Sequence, residues 1–360
     1  MGATAAPADL AAPPDGVMAA WGLDGCATER VRGGLINATF LVRRPGGDVE
    51  LVLQRLHPIF AAEVNLDIEA VTEHVAAAGL VTPRLVRTRA GDGWVVDGGV
   101  WRALTYVDGV TVHSMADAAH VEAAGELVGR FHRALSDLDR EFVFQRAGVH
   151  DTAGHLRRLA QAVLASAPAG ASGSDELLGQ SVALGREIMD AGARLPPLGD
   201  LPRRATHGDL KISNVLFARA ARASAVCLID LDTLGRLSVA YEMGDALRSW
   251  CNPDGEDTTD THFDLALFGA AVRGYAGGLD GLLAPAEVDS LTAGIEVVCV
   301  ELAARFCVDS FEDRYFGWDP DRFASRRHHN LVRARGQLNL ARAVAGERLA
   351  ARELVAAAFG

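Results

Sequence analysis

Lysine is all but missing from this chain. Of 35 lysines and arginines together, Lys211 is the one lysine. Any task that calls for an ε-ammonium falls to position 211, to an arginine, or to nothing. Positive charge is scarce as well, with a formal net charge of -12. Nucleic acids and anionic membranes demand a basic footprint, so neither is expected as a partner. Cysteine is sparse and unpaired: Cys26, Cys227, Cys251, Cys299 and Cys307 are odd in number and contain no C-x-x-C. That argues against a disulfide framework or a structural zinc site, and it predicts buried free thiols in a reducing compartment. The opening stretch is Ala/Pro-rich, carries Asp9 and Asp15, and meets its first basic residue at Arg30, which is not the pattern of a signal peptide. No apolar run is long enough to span a bilayer. These absences predict a cytoplasmic protein.

What is present is an ordinary globular balance. The chain has 360 residues, 49% hydrophobic and 23% charged, enough for one large or two medium domains with a sizeable core. Residues 1–18 are expected to be poorly ordered. From Val31 to Val42 two short strands are predicted around Gly33-Gly34, and Glu50 to Leu56 is a third. Asn65 to Ala78 has helical spacing, with Gly79 at the stop. Strands follow at Leu85 to Arg89 and Trp94 to Tyr106. Ala118 to Leu138 is amphipathic, with Val121, Leu127, Val128, Phe131 and Leu135 on one face. Residues 151–195 and 262 onward also read as helical, with a small-residue loop at Ala165 to Ser174. The prediction is α+β: a strand-rich part over 19–108, a mainly helical part over 109–360, and one strand-loop-strand insert at 203–232.

That insert carries the chemistry. Thr206 to Phe217 reads THGDLKISNVLF and Val226 to Thr233 reads VCLIDLDT. Pairing Val215-Leu216-Phe217 with the apolar run before Asp230 would bring Asp209, Asn214 and Asp230 to one end of a hairpin. Each segment alone reads as a turn or a strand end. Together they supply what phosphoryl transfer needs. Asp209, in a loop after Gly208, can take or orient the proton of an attacking hydroxyl. Asp230 and the neutral oxygen of Asn214 are hard ligands of the kind magnesium prefers, with Asp232 a second-shell or second-metal candidate. Lys211 can bring its ammonium to the transferred phosphate.

These segments resemble the aminoglycoside phosphotransferase-like kinases, whose H-G-D-x-x-x-x-N loop is followed by an I-D strand end. GLINATFLV (34–42), LVLQRL (51–56), CLIDLDT (227–233), YEMGDALRSWCN (241–252) and HNLVRARGQ (329–337) are similar to the N-acetylhexosamine 1-kinase branch. The resemblance covers about residues 31 to 340. It implies a bilobal protein-kinase-like fold, ATP and Mg2+ as cofactors, and a small-molecule substrate, a sugar above all. It places His207 as a support of the catalytic loop. It makes the segment from Arg32 to Phe40 the nucleotide loop, lined by Gly33, Gly34, Asn37 and Thr39, and makes Tyr106 and Val107 the hinge whose backbone would bond adenine.

Kinases of this fold carry a lysine on the third strand paired with a helix glutamate. This chain has Gln54 and Arg55 at that place. Side chains alternate along a strand, so one of the two faces the cleft. Arg55 is the better electrostatic substitute and Gln54 the simpler alignment, with Glu69 as the candidate helix partner. For the acceptor, Arg305, Tyr315 and Trp318 combine a guanidinium with aromatic rings, a set suited to a pyranose. The leading expectation is a kinase acting on a sugar hydroxyl, the anomeric one of an N-acetylhexosamine or related hexose. An antibiotic O-phosphotransferase and a non-catalytic nucleotide-binding module are the rivals.

Overall fold

The computed structural model describes residues 10–31, 37–114, 117–144, 148–166, 176–219 and 223–360. An antiparallel sheet comes first. Its strands are β1 (Ala27–Arg30), β2 (Ala38–Arg43), β3 (Val49–Arg55), β4 (Leu85–Val86), β5 (Val95–Val96) and β6 (Val100–Thr105). The spatial order is β1-β2-β3-β6-β4, with β5 also on β6. Period-two alternation sorts its residues onto two faces. Phe40, Val42, Leu51, Leu53, Trp101 and Ala103 bury one face. Thr39, Gln54 and Arg102 stand on the other, since Thr39 pairs with Gln54 and Gln54 with Arg102.

The apolar face is covered by helix α1 (Asp15–Ala20), whose Val17 is fully buried. The Trp21 indole donates to the Val86 carbonyl at 2.7 Å. This corrects the expectation of poor order up to residue 18. Val17, Met18 and Trp21 repeat at helical spacing and supply the cover that the sheet otherwise lacks. Residues 1–9 lie outside the described residues.

Helix α2 (Val64–Ala77) turns its apolar stripe of Val64, Ile68, Val71 and Val75 toward the helical part and shares its core. That part holds α3 (Ala118–Ala134), α4 (Thr152–Ser166) and α5 (Glu176–Gly192). After four short strands come α6 (Val239–Trp250), α7 (Leu265–Leu279), α8 (Pro285–Glu312), α9 (Arg326–Gly346) and α10 (Arg348–Phe359). Helices α3 and α7 approach backbone to backbone. A Cβ on Gly125 or Gly129 would strike the carbonyl of Ala271 or Tyr275, and one on Gly274 or Gly278 that of Glu122 or Glu126. Helices α6 and α8 cross the same way at Gly244 and Gly294.

The four short strands are β7 (Arg204–Thr206), β8 (Val215–Phe217), β9 (Ala225–Leu228) and β10 (Gly235–Leu237). β8 pairs with β9 in the expected hairpin, and β7 pairs with β10. The linker leaving the sheet is tied down by two bonds of 2.8 Å between Val110 and Phe217. The expected small-residue loop falls almost wholly on 167–175, outside the described residues.

Candidate active site

Residues 207–214 fill the gap between β7 and β8, and residues 229–234 fill the gap between β9 and β10. The two loops are stitched together. The His207 ring donates from Nε2 to the Ile229 carbonyl at 2.9 Å, and its Nδ1 accepts from the Asp209 amide at 3.3 Å. A carbonyl can only accept, so the bonding pattern assigns the proton to Nε2. The Thr233 hydroxyl donates to the His207 carbonyl at 2.9 Å, and the Ile229 amide to the Asn214 carbonyl at 3.0 Å. Gly208 has φ +82, with the Thr233 carbonyl where a Cβ would go, so only glycine fits. His207 thus supports the loop, as expected.

Glu242 of α6, which sequence reasoning did not single out, anchors this loop from below. Its two oxygens accept the amides of His207 at 2.7 Å and Gly208 at 2.9 Å. His132 of α3 lies 3.3 Å from the same carboxylate and bonds Tyr275 of α7 at 2.8 Å. Burial acts to raise the Glu242 carboxyl, but the His132 bond and nearby histidines outweigh it and hold it below its ordinary value. The readable sign was an acid set among apolar residues in YEMGDAL. Trp250 completes the support by donating to the Leu210 carbonyl at 2.8 Å.

The hairpin brings Asp209, Lys211 and Asn214 together. The Lys211 ammonium lies 2.8 Å from Asp209 Oδ2. Asn214 Nδ2 donates to the Asp209 carbonyl at 2.8 Å and to Oδ2 at 3.2 Å, which leaves the amide oxygen of Asn214 for a ligand. Burial pushes the Asp209 carboxyl up, yet Lys211 more than offsets it and the group sits below the usual carboxylate value. Asp230 is the opposite case. Burial first, then the Asp232 carboxylate, push it up to about 6 against the pull of Lys211. Its backbone is left-handed, with φ 65 and ψ 56. This is a rare conformation for a residue with a side chain and a common sign of a site under functional constraint. Among the described residues no donor bonds the Asp230 carboxylate. An acid with unspent oxygens beside an amide oxygen fits a divalent cation. The described residues contain no trio of His, Cys, Asp or Glu arranged for a metal. A cation here would therefore draw its remaining ligands from nucleotide and water.

The cleft face of the sheet contributes a second cluster, centred on Arg102 of β6. Its guanidinium makes a bidentate pair with Asp232, with both side chains 1% exposed. It also donates to Gln54 Oε1 at 2.9 and 2.7 Å and to Asn65 Oδ1 at 3.4 Å. Asn37 donates to Asp232 and accepts the His57 amide at 2.9 Å. Gln54 donates to Thr39 at 3.1 Å. Two expectations are corrected here. Arg55 does not enter the cleft: strand alternation sends it to the opposite face, where it donates to the Gly98 carbonyl. Glu69 pairs with Arg87 at 2.7 Å and not with Arg55. Of the two roles read for Asp232, the bonds that Arg102 and Asn37 make to its oxygens favour support of the site over binding a second metal. Gly33 and Gly34 lie outside the described residues.

Tyr106 and Val107 follow directly on the end of β6 at Thr105, where the sheet ladder stops. The Tyr106 hydroxyl donates to Asp108 at 2.9 Å, and Asp108 pairs with Arg219 across the junction at 2.8 Å. Further along, Arg305 lies over the Phe316 ring at 5.7 Å, and Tyr315 packs edge-on against the same ring at 4.7 Å. Trp318 is half-buried two residues beyond. Asp309 organises this turn by accepting the amides of Arg314, Tyr315 and Phe316 at 3.0, 2.8 and 2.8 Å.

Comparison with known proteins agrees with this geometry. Residues 27–278 match the profile described as Phosphotransferase enzyme family. A homoserine kinase of Methylobacterium radiotolerans is 27% identical over 243 residues, covering 67% of each chain. Among solved structures, an aminoglycoside phosphotransferase from Alicyclobacillus acidocaldarius superposes with a TM-score of 0.62 at 15% identity, covering 96% of this chain and 98% of that one. An amicoumacin kinase in complex with AMP-PNP and Ca2+ reaches 0.56 at 13% identity, covering 86% and 87%. With a strand-rich sheet over a mainly helical part and a family match spanning more than half its length, this chain belongs to the phosphotransferase enzyme family and is an ATP-dependent small-molecule kinase.

Proposed function

We propose that the protein transfers the terminal phosphoryl group of Mg-ATP to a hydroxyl of a small acceptor, with Asp209 accepting the hydroxyl proton. The observation that carries this is the division of labour between two carboxylates. Asp209 is held ionised by Lys211 and oriented by Asn214, while no donor among the described residues takes the oxygens of Asp230. Opposed environments of this kind mark assigned roles in catalysis. Asp209 orients the acceptor oxygen for attack. Lys211 steadies Asp209 and adds positive charge beside the transferred group. Asp230 and the Asn214 amide oxygen would hold magnesium, which supplies charge neutralisation on the phosphates when bound. The backbone of Tyr106 and Val107, past the end of the β6 ladder, would meet adenine. Asn37 and Thr39 bound the phosphate side.

For the acceptor we retain a sugar, an N-acetylhexosamine or related hexose phosphorylated at the anomeric hydroxyl. It is supported by the hexosamine-branch segments and by the Arg305, Tyr315 and Trp318 set. A second reading, an amino alcohol, is favoured by the relative named a homoserine kinase. The deciding experiment is ADP release from Mg-ATP across hexoses, N-acetylhexosamines, homoserine, short amino alcohols and aminoglycosides. Turnover confined to sugars, giving an acid-labile and alkali-stable phosphate, supports the anomeric assignment. Turnover with homoserine or aminoglycosides alone removes it.

A further inference from the structure

Where a third-strand lysine is missing, the cleft face of the sheet carries the charge of Arg102 on β6. On β3 the cleft-facing residue is Gln54, a neutral amide, and directly opposite on β6 stands Arg102. All five N–H groups of the guanidinium are engaged: one Nε and one Nη2 proton on Gln54, one Nη1 proton on Asn65, and one from each terminal nitrogen on Asp232. A side chain with no spare donor and 1% exposure has nothing left to offer a phosphate. Its partner Asp232 is two residues from Asp230 and is the middle residue of the single 3-10 turn, Leu231–Thr233, that follows Asp230's left-handed backbone. Asn37, at the mouth of the expected nucleotide loop, grips the same carboxylate. The pair joins the sheet to the helical part at the point where a metal ligand must be held.

We propose that Arg102 is a positioning residue for phosphoryl transfer. Acting through Asp232, it fixes from β6 the turn that presents Asp230, and leaves the phosphate contact of the absent β3 lysine to other groups. The inference rests on Asp230 as the magnesium ligand in the proposed reaction. A fork suits this task better than an ammonium, because two parallel bonds set the carboxylate's plane as well as its distance.

The test is calorimetric titration with AMP-PNP, in magnesium and in EDTA, on the wild type, Arg102→Gln, Asp232→Asn, the double variant and Asp230→Asn. The ratio of the two dissociation constants measures how far magnesium strengthens nucleotide binding. Loss of a residue supporting a metal ligand costs about 10- to 100-fold in metal affinity, so that ratio should fall by this much in both single variants, with the EDTA constant near wild type. The double variant leaves no buried charge unpaired. Its melting temperature should return toward wild type while its ratio stays low. If the ratio recovers along with the melting temperature, or if either folded single variant keeps the wild-type ratio, Arg102 is a structural pin and the inference fails. A wild-type ratio in Asp230→Asn instead overturns the metal assignment beneath it.

Discussion

At the scale of single residues, chemistry follows from what each carboxylate has left to give. Asp209 is spoken for by Lys211 and Asn214 and presents a fixed, ionised edge. Replacing it with alanine should lower kcat by roughly 10²- to 10⁴-fold, the usual contribution of a positioned acid-base group, and leave AMP-PNP affinity near wild type. Near-normal turnover would remove Asp209 from the reaction. Arg55 gives the opposite prediction. It sits on the far side of the sheet from the cleft, so Arg55→Ala should change kcat/KM by less than about twofold, in keeping with small effects at positions away from a site. A large loss would return it to the cleft. Asp209, Asn214 and Asp230 were legible in the sequence because they lie in one short insert with a readable spacing. Arg102 was not, because its partner is 130 residues away and no local pattern links them. Its one sign was a charge in the middle of the apolar strand VWRALT.

At the scale of elements, the loop of residues 207–214 is only as well placed as the helix beneath it. Helix α6 carries Glu242 and is wedged against α8, where a Cβ on Gly294 would run into the Ala240 carbonyl. Gly294→Ala should destabilise the protein by about 1–3 kcal/mol through overpacking, measured by thermal unfolding. An unchanged melting temperature would mean that the helices can part without cost. Glu242→Gln should keep the shape of this contact, but its one amide oxygen can accept only one of the two loop amides and its NH2 group would face the other. The expected result is a loss in kcat larger than any change in nucleotide affinity. Most elements were legible from period and punctuation: the β8–β9 hairpin, α2 ending before Gly79, and α3 from its apolar face. Helix α1 was missed because its Ala/Pro-rich context reads as a tail. What orders it is the outer face of a sheet built from residues far along the chain.

At the scale of the whole molecule, ion pairs across the helical part make stability depend on pH in a predictable direction. Glu187 of α5 accepts bonds from Arg335 and Arg342 of α9, both 2.8 Å or shorter. Arg335 first, then Arg342, lower its carboxyl from 4.5 to about 2. A carboxyl depressed in the folded state stabilises fully above its unfolded value and loses that contribution as pH falls through the folded one. The side chain is 39% exposed, so screening keeps each pair to about 0.2–1 kcal/mol. Glu187→Gln should therefore melt lower than wild type at pH 7, and the gap should narrow as pH drops below 4.5. A gap independent of pH would dismiss the pairs as contributors. The single lysine has a consequence at this scale too. A protease that cuts only after lysine can sever this chain at one bond, yielding 1–211 and 212–360. That bond lies inside the stitched loop of residues 207–214, with the Lys211 side chain held on Asp209. Cleavage by such an enzyme would report the opening of this one loop, and its rate set against that of global unfolding would make the native protein its own one-site clock for loop motion.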